Sequence, residues 1–324
     1  MKYVDLKSYI TYVSRGITPK YVNSEGILVI NQRCIRNGQI DFSYARLTSK
    51  QKSYTEAKFL EPGDILINST GTGTLGRIAL FKGNDQKVLA DSHVSIVRIS
   101  QEYDTRFVAH YLYSKEAYIA TLGKGATNQQ ELSKEAIYSI PVPKITVDKQ
   151  SKIAEILSAY DDLIENNQRQ IKLLEEAAMR LYKEWFVKLR FPGHENTKIV
   201  DGVPEGWRLG RVSELAEFKR GKTITKKNAK DGNVPVVAGG LEPAYFHNVA
   251  NTVAPVITIS ASGANAGYTR LYNTDIWASD CSYIDASYGD KLYFIYTFLK
   301  NNKEVIDNLQ RGAAQPHVYA KDIN

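Results

Sequence analysis

The sequence predicts an α+β fold in which two copies of one mixed module are separated by a long helix of the coiled-coil type. Three observations carry that reading. Apolar residues recur in unbroken steps of four and three between Asp148 and Leu189. The stretches on either side of that segment repeat each other. Within each stretch, short alternating strands and glycine turns come before helical patterns.

The helix is the clearest element. Its seam runs through Ile153, Leu157, Tyr160, Ile164, Asn167, Ile171, Leu174, Ala178, Leu181 and Trp185, with charged helix formers between them. Pro141 and Pro143 stand before it, and Pro192-Gly193 stop it. At about 1.5 Å per residue, some forty residues make a rod of roughly 60 Å, the dimension of a spacer. A single helix cannot bury its own stripe. The seam is therefore expected to pack on a second helix, in this chain or another. Asn167 either fixes the register of that pairing or marks a place where the seam opens to water, and both readings stand.

The repeat gives the organisation: a first module over 1–145, the helical spacer over 146–191, a linker over 192–208 and a second module over 209–324. Val13-Ser14-Arg15-Gly16-Ile17-Thr18 matches Phe218-Lys219-Arg220-Gly221-Lys222-Thr223. Asp64 to Ser69, running into Gly73 and Gly76, matches Pro255 to Ser260, running into Gly263 and Gly267. Ala90-Asp91-Ser92 matches Ser279-Asp280-Cys281, Lys124-Gly125-Ala126 matches Arg311-Gly312-Ala313, and Leu132 to Ile137 matches Val318 to Ile323. Strands are expected at Arg77–Phe81 and His93–Arg98, and helices at Thr105–Ala120 and Leu292–Leu309. In the first copy Ile137 leads through Ile140-Pro141-Val142-Pro143 into the helix. By the same logic a second spacer is expected after Asn324.

Composition excludes several classes. The 324 residues carry 42 Lys+Arg against 35 Asp+Glu, a net charge of +7, with 43% hydrophobic and 24% charged residues. That is a soluble globular balance of about two domains, and its mild positive charge permits attraction to phosphate without demanding it. The 21 Tyr against 10 Phe suit half-exposed strands and wet interfaces. No apolar run approaches the roughly 18 residues of a membrane span, and Lys2 and Asp5 interrupt the position of a signal peptide. Cys34 and Cys281 lie far apart, so a reducing, cytoplasmic setting is expected.

Motif-like strings lead to no catalytic assignment. Gly71-Thr72-Gly73-Thr74-Leu75-Gly76 fits a dinucleotide-binding string, but a strand pattern follows it rather than a helix, and the repeat partner does not keep the string. A hairpin loop is the better reading. Asp91-Ser92-His93 is not a triad by adjacency, since triads are defined by geometry. The five histidines and two cysteines have no metal-ligand spacing, so no metal and no catalytic residue is expected.

The ordered set Ile140-Pro141-Val142-Pro143, Gln150, Ile153, Ile156-Leu157, Asp161-Asp162-Leu163-Ile164, Ile171-Lys172-Leu173-Leu174-Glu175, Leu181-Tyr182-Lys183-Glu184-Trp185-Phe186 and Val203-Pro204-Glu205-Gly206-Trp207 resembles the specificity subunit of type I restriction–modification systems. The resemblance covers nearly the whole sequence and implies two target-recognition domains, each reading half of a split DNA site. It implies helices that pair antiparallel and dock DNA methyltransferase (modification) subunits, with a restriction subunit in the full complex. It also implies no cofactor on this chain: S-adenosylmethionine, ATP and magnesium belong on the partner subunits. Two features depart from the family. The proline and Gly-Trp that open the second module are absent before the first, and no second spacer follows Asn324. Self-association through the unpaired helix is one expectation that follows; cover by a methyltransferase helix is the other.

Under this reading the DNA-binding candidates lie in loops that the repeat makes equivalent. They are Arg15, Thr18 and Lys20 with Lys222, Thr223, Lys226 and Lys227; Thr72, Thr74 and Arg77 with Ser262 and Asn265; and Lys124, Asn128 and Gln129 with Arg311, Gln315 and His317. More than half of these individual positions are expected to be ordinary solvated turns. Two other classes stay open. One is a nuclease with unrecognised carboxylates. The other is a coiled-coil scaffold or truncated regulatory form that binds the modification subunit or another such chain without productive DNA recognition.

Overall fold

A computed structural model describes residues 2–51, 53–125, 130–312 and 315–324. Contacts divide the chain into two units, Met1–Asn167 and Gln168–Asn324, with the boundary inside the long helix.

In the first unit the central layer is an antiparallel sheet in the order Ile10–Arg15, Val94–Ile99, Ile65–Asn68, Ile78–Leu80. All four residues of Ile65–Asn68 are buried, because the sheet is covered on both faces. Side chains alternate along a strand. Ile65 and Ile67, with Val97, therefore face helices α1 (Thr105–Tyr113), α2 (Glu116–Thr121) and α3 (Lys134–Tyr138), where Phe107, Val108, Leu112, Ile119 and Ile137 complete the core. Leu66, Val94 and Ile96 face the other way, toward Ile30 and Phe81. There a second sheet runs Val88–Ala90, Gly26–Ile30, Arg46–Ser49, Tyr21–Val22, and its first two strands are parallel. The Asp104 carboxylate accepts the N–H groups of Arg106 and Phe107 and so caps α1; Ser133 caps α3 through the N–H of Ala136. A short ribbon, Tyr3–Asp5 against Pro141–Pro143, sets Tyr3 opposite Pro143.

The long helix, α4, spans Val147–Tyr182 and closes with one π turn, Lys183–Val187. Its first turns belong to the first unit. The fully buried Gln150 accepts from the N–H of Asp104 at 3.0 Å and donates to the carbonyl of Ile145 at 3.1 Å, while Ala154 enters the core.

The second unit has the same plan. Its main sheet runs Lys219–Arg220, Cys281–Ile284, Val256–Ser260, Thr269–Tyr272. A smaller sheet runs Tyr245–His247, Val234–Val237, Trp277–Ala278, its last two strands parallel. Ile257, Ile259 and Ile284 face α5 (Lys291–Asn301), α6 (Lys303–Asn308) and α7 (Ala320–Ile323); Val256 and Cys281 face Val237, Ile276 and Ala278. The sequence repeat is thus a repeat of main-sheet order, of layer order and of a parallel strand pair at the edge of the other sheet.

Two sequence expectations need correction. Neither Thr105–Ala120 nor Leu292–Leu309 is one helix; each breaks into two. At both breaks a short polar side chain donates to a carbonyl of the preceding turn, Ser114 to Tyr111 and Asn302 to Phe298, in competition with the backbone ladder. The strand alignment is also one residue out. Ile65 pairs with Leu80 and Val97, and Ile257 with Leu271 and Ile284, so Ile65 corresponds to Ile257 and Asn68, not Ser69, to Ser260. Likewise Ala90 accepts from Ile17 N–H as Ala278 does from Lys222 N–H, so Ala90 corresponds to Ala278 rather than Ser279. A slip of one residue exchanges the two faces of a strand. String matching misses it here because both faces are apolar.

Both cysteines are free and buried, and burial pushes the thiols up to about 11 for Cys34 and about 12 for Cys281. Neither is a nucleophile at neutral pH. Among the described residues, no helix is long and apolar enough to cross a membrane.

Candidate nucleic-acid interface

In each module the three candidate loops meet at one end of the main sheet, and the same backbone bonds close the meeting point. In the first, Gly16 N–H donates to Val94, Ser69 N–H to His93 and Leu132 N–H to Ser69, while Lys124 and Glu131 exchange both bonds at 2.9 Å. In the second, Gly221 N–H donates to Cys281, Ala261 N–H to Asp280 and Val318 N–H to Ala261, and Arg311 and His317 exchange both bonds. The approach needs glycine at the crossing. A Cβ on Gly16 would lie 2.1 Å from the Ala90 carbonyl oxygen, and one on Gly221 would lie 2.3 Å from that of Ser279.

The first cluster is cross-linked by its own side chains. Arg15 pairs with Glu131 at 2.7 Å and donates to the carbonyls of Ser92 and Leu132. Lys58 donates to Ser14 Oγ and the Arg15 carbonyl. Thr74 Oγ1 lies 3.3 Å from both the Thr70 and Gly71 carbonyl oxygens, either of which can accept its one proton, and Arg77 donates to Gly73 at 2.9 Å. Thr72 and Lys124 are exposed at the surface of the cluster, and Thr18 is exposed on the Arg15 loop. Lys20 lies off the cluster, its backbone bonded to Thr48 and Ser49. Asn128 and Gln129 lie outside the described residues. The 71–76 string is a hairpin turn, with Gly71, Gly73 and Gly76 at positive φ and the strand Ile78–Leu80 after it.

The second cluster is more cationic. Lys219, Arg220, Lys222, Lys226, Lys227 and Lys230 are all exposed, and among the described residues none pairs with a carboxylate. Thr223 is exposed beside them. Their loop is nonetheless fixed: Trp277 Nε1 donates to the Lys222 carbonyl at 2.7 Å, and Tyr245 Oη donates to that of Ile224. Ser262 donates to Asp280, Asn265 to Gly239, and Arg311 pairs with Asp322 at 2.7 Å. His317 is half-buried and stacked with Tyr319, while Gln315 is exposed.

Sequence reasoning missed three residues of these clusters. His93 Nδ1 lies 2.6 Å from Thr70 Oγ1, and the equivalent pair in the second module is Asp280 with Ser262. The Asp91-Ser92-His93 string carries that signal, but adjacency in sequence does not show the Thr70 partner across the loops. Asp91 is structural: burial raises its carboxyl above the ordinary range even though it accepts the N–H of His93. The third is Gln32, beside Thr74.

The helix seam is open. Ile153, Leu157, Tyr160, Ile164 and Asn167 are exposed, as are Ile171 at 57%, Leu174 at 69% and Leu181; Trp185 is half-buried. Exposed apolar residues at this density form the kind of patch that interaction surfaces use. Among the described residues no group of three or more His, Cys, Asp and Glu could hold a metal ion.

The chain matches the sequence profile of the type I restriction modification DNA specificity domain over residues 7–176 and 204–324. It is 28% identical over 247 residues to the type I restriction enzyme MjaIX specificity subunit of Methanocaldococcus jannaschii, covering 67% of this chain and 57% of that protein. The putative MjaX specificity subunit of the same organism is 23% identical over 249 residues, with 74% of this chain and 59% of the relative covered. The chain thus spans less than two thirds of the length of these relatives. In fold it is similar to the crystal structure of a type I restriction–modification system S subunit from M. genitalium, with a TM-score of 0.51, 17% identity, and 95% and 78% of the two chains covered.

Proposed function

The chain belongs to the type I restriction–modification DNA specificity family, and from that premise we propose that it reads a bipartite DNA target, one half with each module, and contributes recognition rather than chemistry. The observation that carries this is the pair of closed loop clusters. One backbone frame, built twice, gathers polar and basic side chains at the end of a rigid sheet. That is how a scaffold presents loops for base edges and phosphates. The exposed seam of α4 supplies the docking face for modification subunits. Those subunits bring S-adenosylmethionine, and the restriction subunit of a full complex brings ATP- and magnesium-dependent work. A chain acting on cellular DNA in this way works in the cytoplasm.

Co-purification with the modification subunit, followed by mapping of methylated sites on genomic DNA, tests the proposal. A methylated split motif is the expected outcome. A folded, assembled complex that methylates no defined motif overturns it. The open seam favours one second reading, a scaffold that binds protein alone. Duplex binding that weakens as salt rises excludes that reading, because neutralised phosphates release counterions.

A further inference from the structure

The two modules differ at one place where their backbones coincide. Ile30 and Val237 accept equivalent bonds, from Asp91 N–H and Ser279 N–H. Two residues further on, the Gln32 carbonyl accepts from Asn68 Nδ2 at 3.0 Å, and the Gly239 carbonyl accepts from Ser260 Oγ at 3.2 Å. Gln32 and Gly239 therefore hold the same position beside the 70–77 and 262–268 loops. At Gly239 a Cβ would lie 2.7 Å from the Ser262 carbonyl oxygen, so backbone closes that site to any side chain. In the first module the site holds a partly exposed glutamine instead.

That glutamine packs against the 70–77 loop. Thr74 Oγ1 lies 3.5 Å from its amide oxygen, and a Cβ on Gly71, which also has φ +105°, would lie 2.4 Å from the same oxygen. The backbone on either side is fixed by the buried Asn31, which donates to the Tyr44 carbonyl at 2.7 Å and accepts from Arg33 N–H at 2.8 Å. Arg33 then lies exposed over the Tyr44 ring at 5.0 Å. A glutamine amide carries two donors and an acceptor, so it can donate and accept at once. Packing on Gly71 and Thr74 narrows the positions open to the amide and so lowers the ordering cost of binding.

We propose that the Gln32 amide reads one A·T pair in the half-site of the first module, accepting from adenine N6 and donating to N7 in the major groove, and that the second module has no reader at the equivalent position, Gly239. The inference rests on the reading of the chain as a DNA specificity subunit. It is tested by selecting bound duplexes from a randomised DNA library with the chain assembled on its modification subunit.

Gln32→Ala is expected to reduce the preference for adenine about tenfold or more at a single position of one half-site, leaving the other half-site unchanged. Gln32→Glu, which can only accept, is expected to move the preference at that position toward cytosine through its N4 donor. A purely structural role would not change which base is chosen, and the Glu variant decides the matter if the Ala variant folds poorly by thermal melting. If the wild-type assembly selects a split motif and both variants select it unchanged, or lose preference evenly across the half-site, the inference falls alone. If the wild-type assembly selects no motif, the specificity reading itself fails.

Discussion

The two modules share a backbone and diverge in what they place on it. Residues 14–25 of the first hold two cations, Arg15 and Lys20, and Arg15 is spent on Glu131. The equivalent residues 219–230 hold six exposed cations and no acid. At the crossing position the first has the imidazole of His93 against a threonine hydroxyl; the second has the Asp280 carboxylate against a serine hydroxyl. The first keeps an amide at Gln32 where the second is closed at Gly239. The difference teaches that the frame and the loop surface are under separate physical control. Buried strands, a glycine crossing and repeated backbone bonds hold the frame. The loop side chains are free to give one module hydrogen-bonding character and the other unpaired positive charge, the kind that phosphate attracts.

The largest expected effects test whether the frames are equivalent. Ile65→Ala and Ile257→Ala remove matching core side chains, and each should cost about 2–5 kcal/mol, read by chemical denaturation. A large cost at one and a negligible cost at the other would break the equivalence. Next come Gly16→Ala and Gly221→Ala, whose new methyl groups meet backbone carbonyls; each should cost about 1–3 kcal/mol by the same measurement.

The charge difference is sharpened by salt titrations of duplex binding. Replacing both Lys226 and Lys227 with Ala should lower the slope of log affinity against log salt by up to about 1.8, at about 0.9 per phosphate contact. Arg15→Ala should instead act on stability and leave that slope nearly unchanged, because its charge is already paired. An equal slope change from Arg15→Ala would erase the distinction between the modules.

The smallest effect is a pH dependence confined to the first module. Burial lowers the His110 pKa below 6.5 despite Asp161 at 3.7 Å, while Ser158 Oγ lies 3.3 Å from its other ring nitrogen. The folded state therefore binds the proton less readily than the unfolded one. His110 thus contributes a loss of stability as pH falls through and below about 6.5. The α5 and α6 segments have no histidine. Melting curves between pH 5 and 7 should show this dependence in the intact chain, and His110→Gln should flatten it.

Much of the frame was legible because it rests on short-range regularities. The seven-residue seam specified α4, and the recurring glycines and apolar runs specified the duplication. The register of Ile65 against Ile257 was not legible, since a strand buried on both faces loses the alternation that would fix it. The helix breaks at Ser114 and Asn302 turn on side-chain bonds that periodicity does not carry. In the candidate site, the loops were legible through the repeat, but the state of each residue was not. Arg15 reads as a free cation until Glu131, more than a hundred positions away, is seen beside it. The place of Gln32 was not legible because it comes from facing Thr74 and Gly71, which are distant in sequence.

The ribbon of Tyr3–Asp5 against Pro141–Pro143 makes the first module begin and end at one spot, with its two ends about 5 Å apart across neighbouring strands. Topologically the module hangs from a single stem. A graft that keeps both strands of the stem could carry the module into another chain, or replace it there, while leaving the path of the host backbone unaltered.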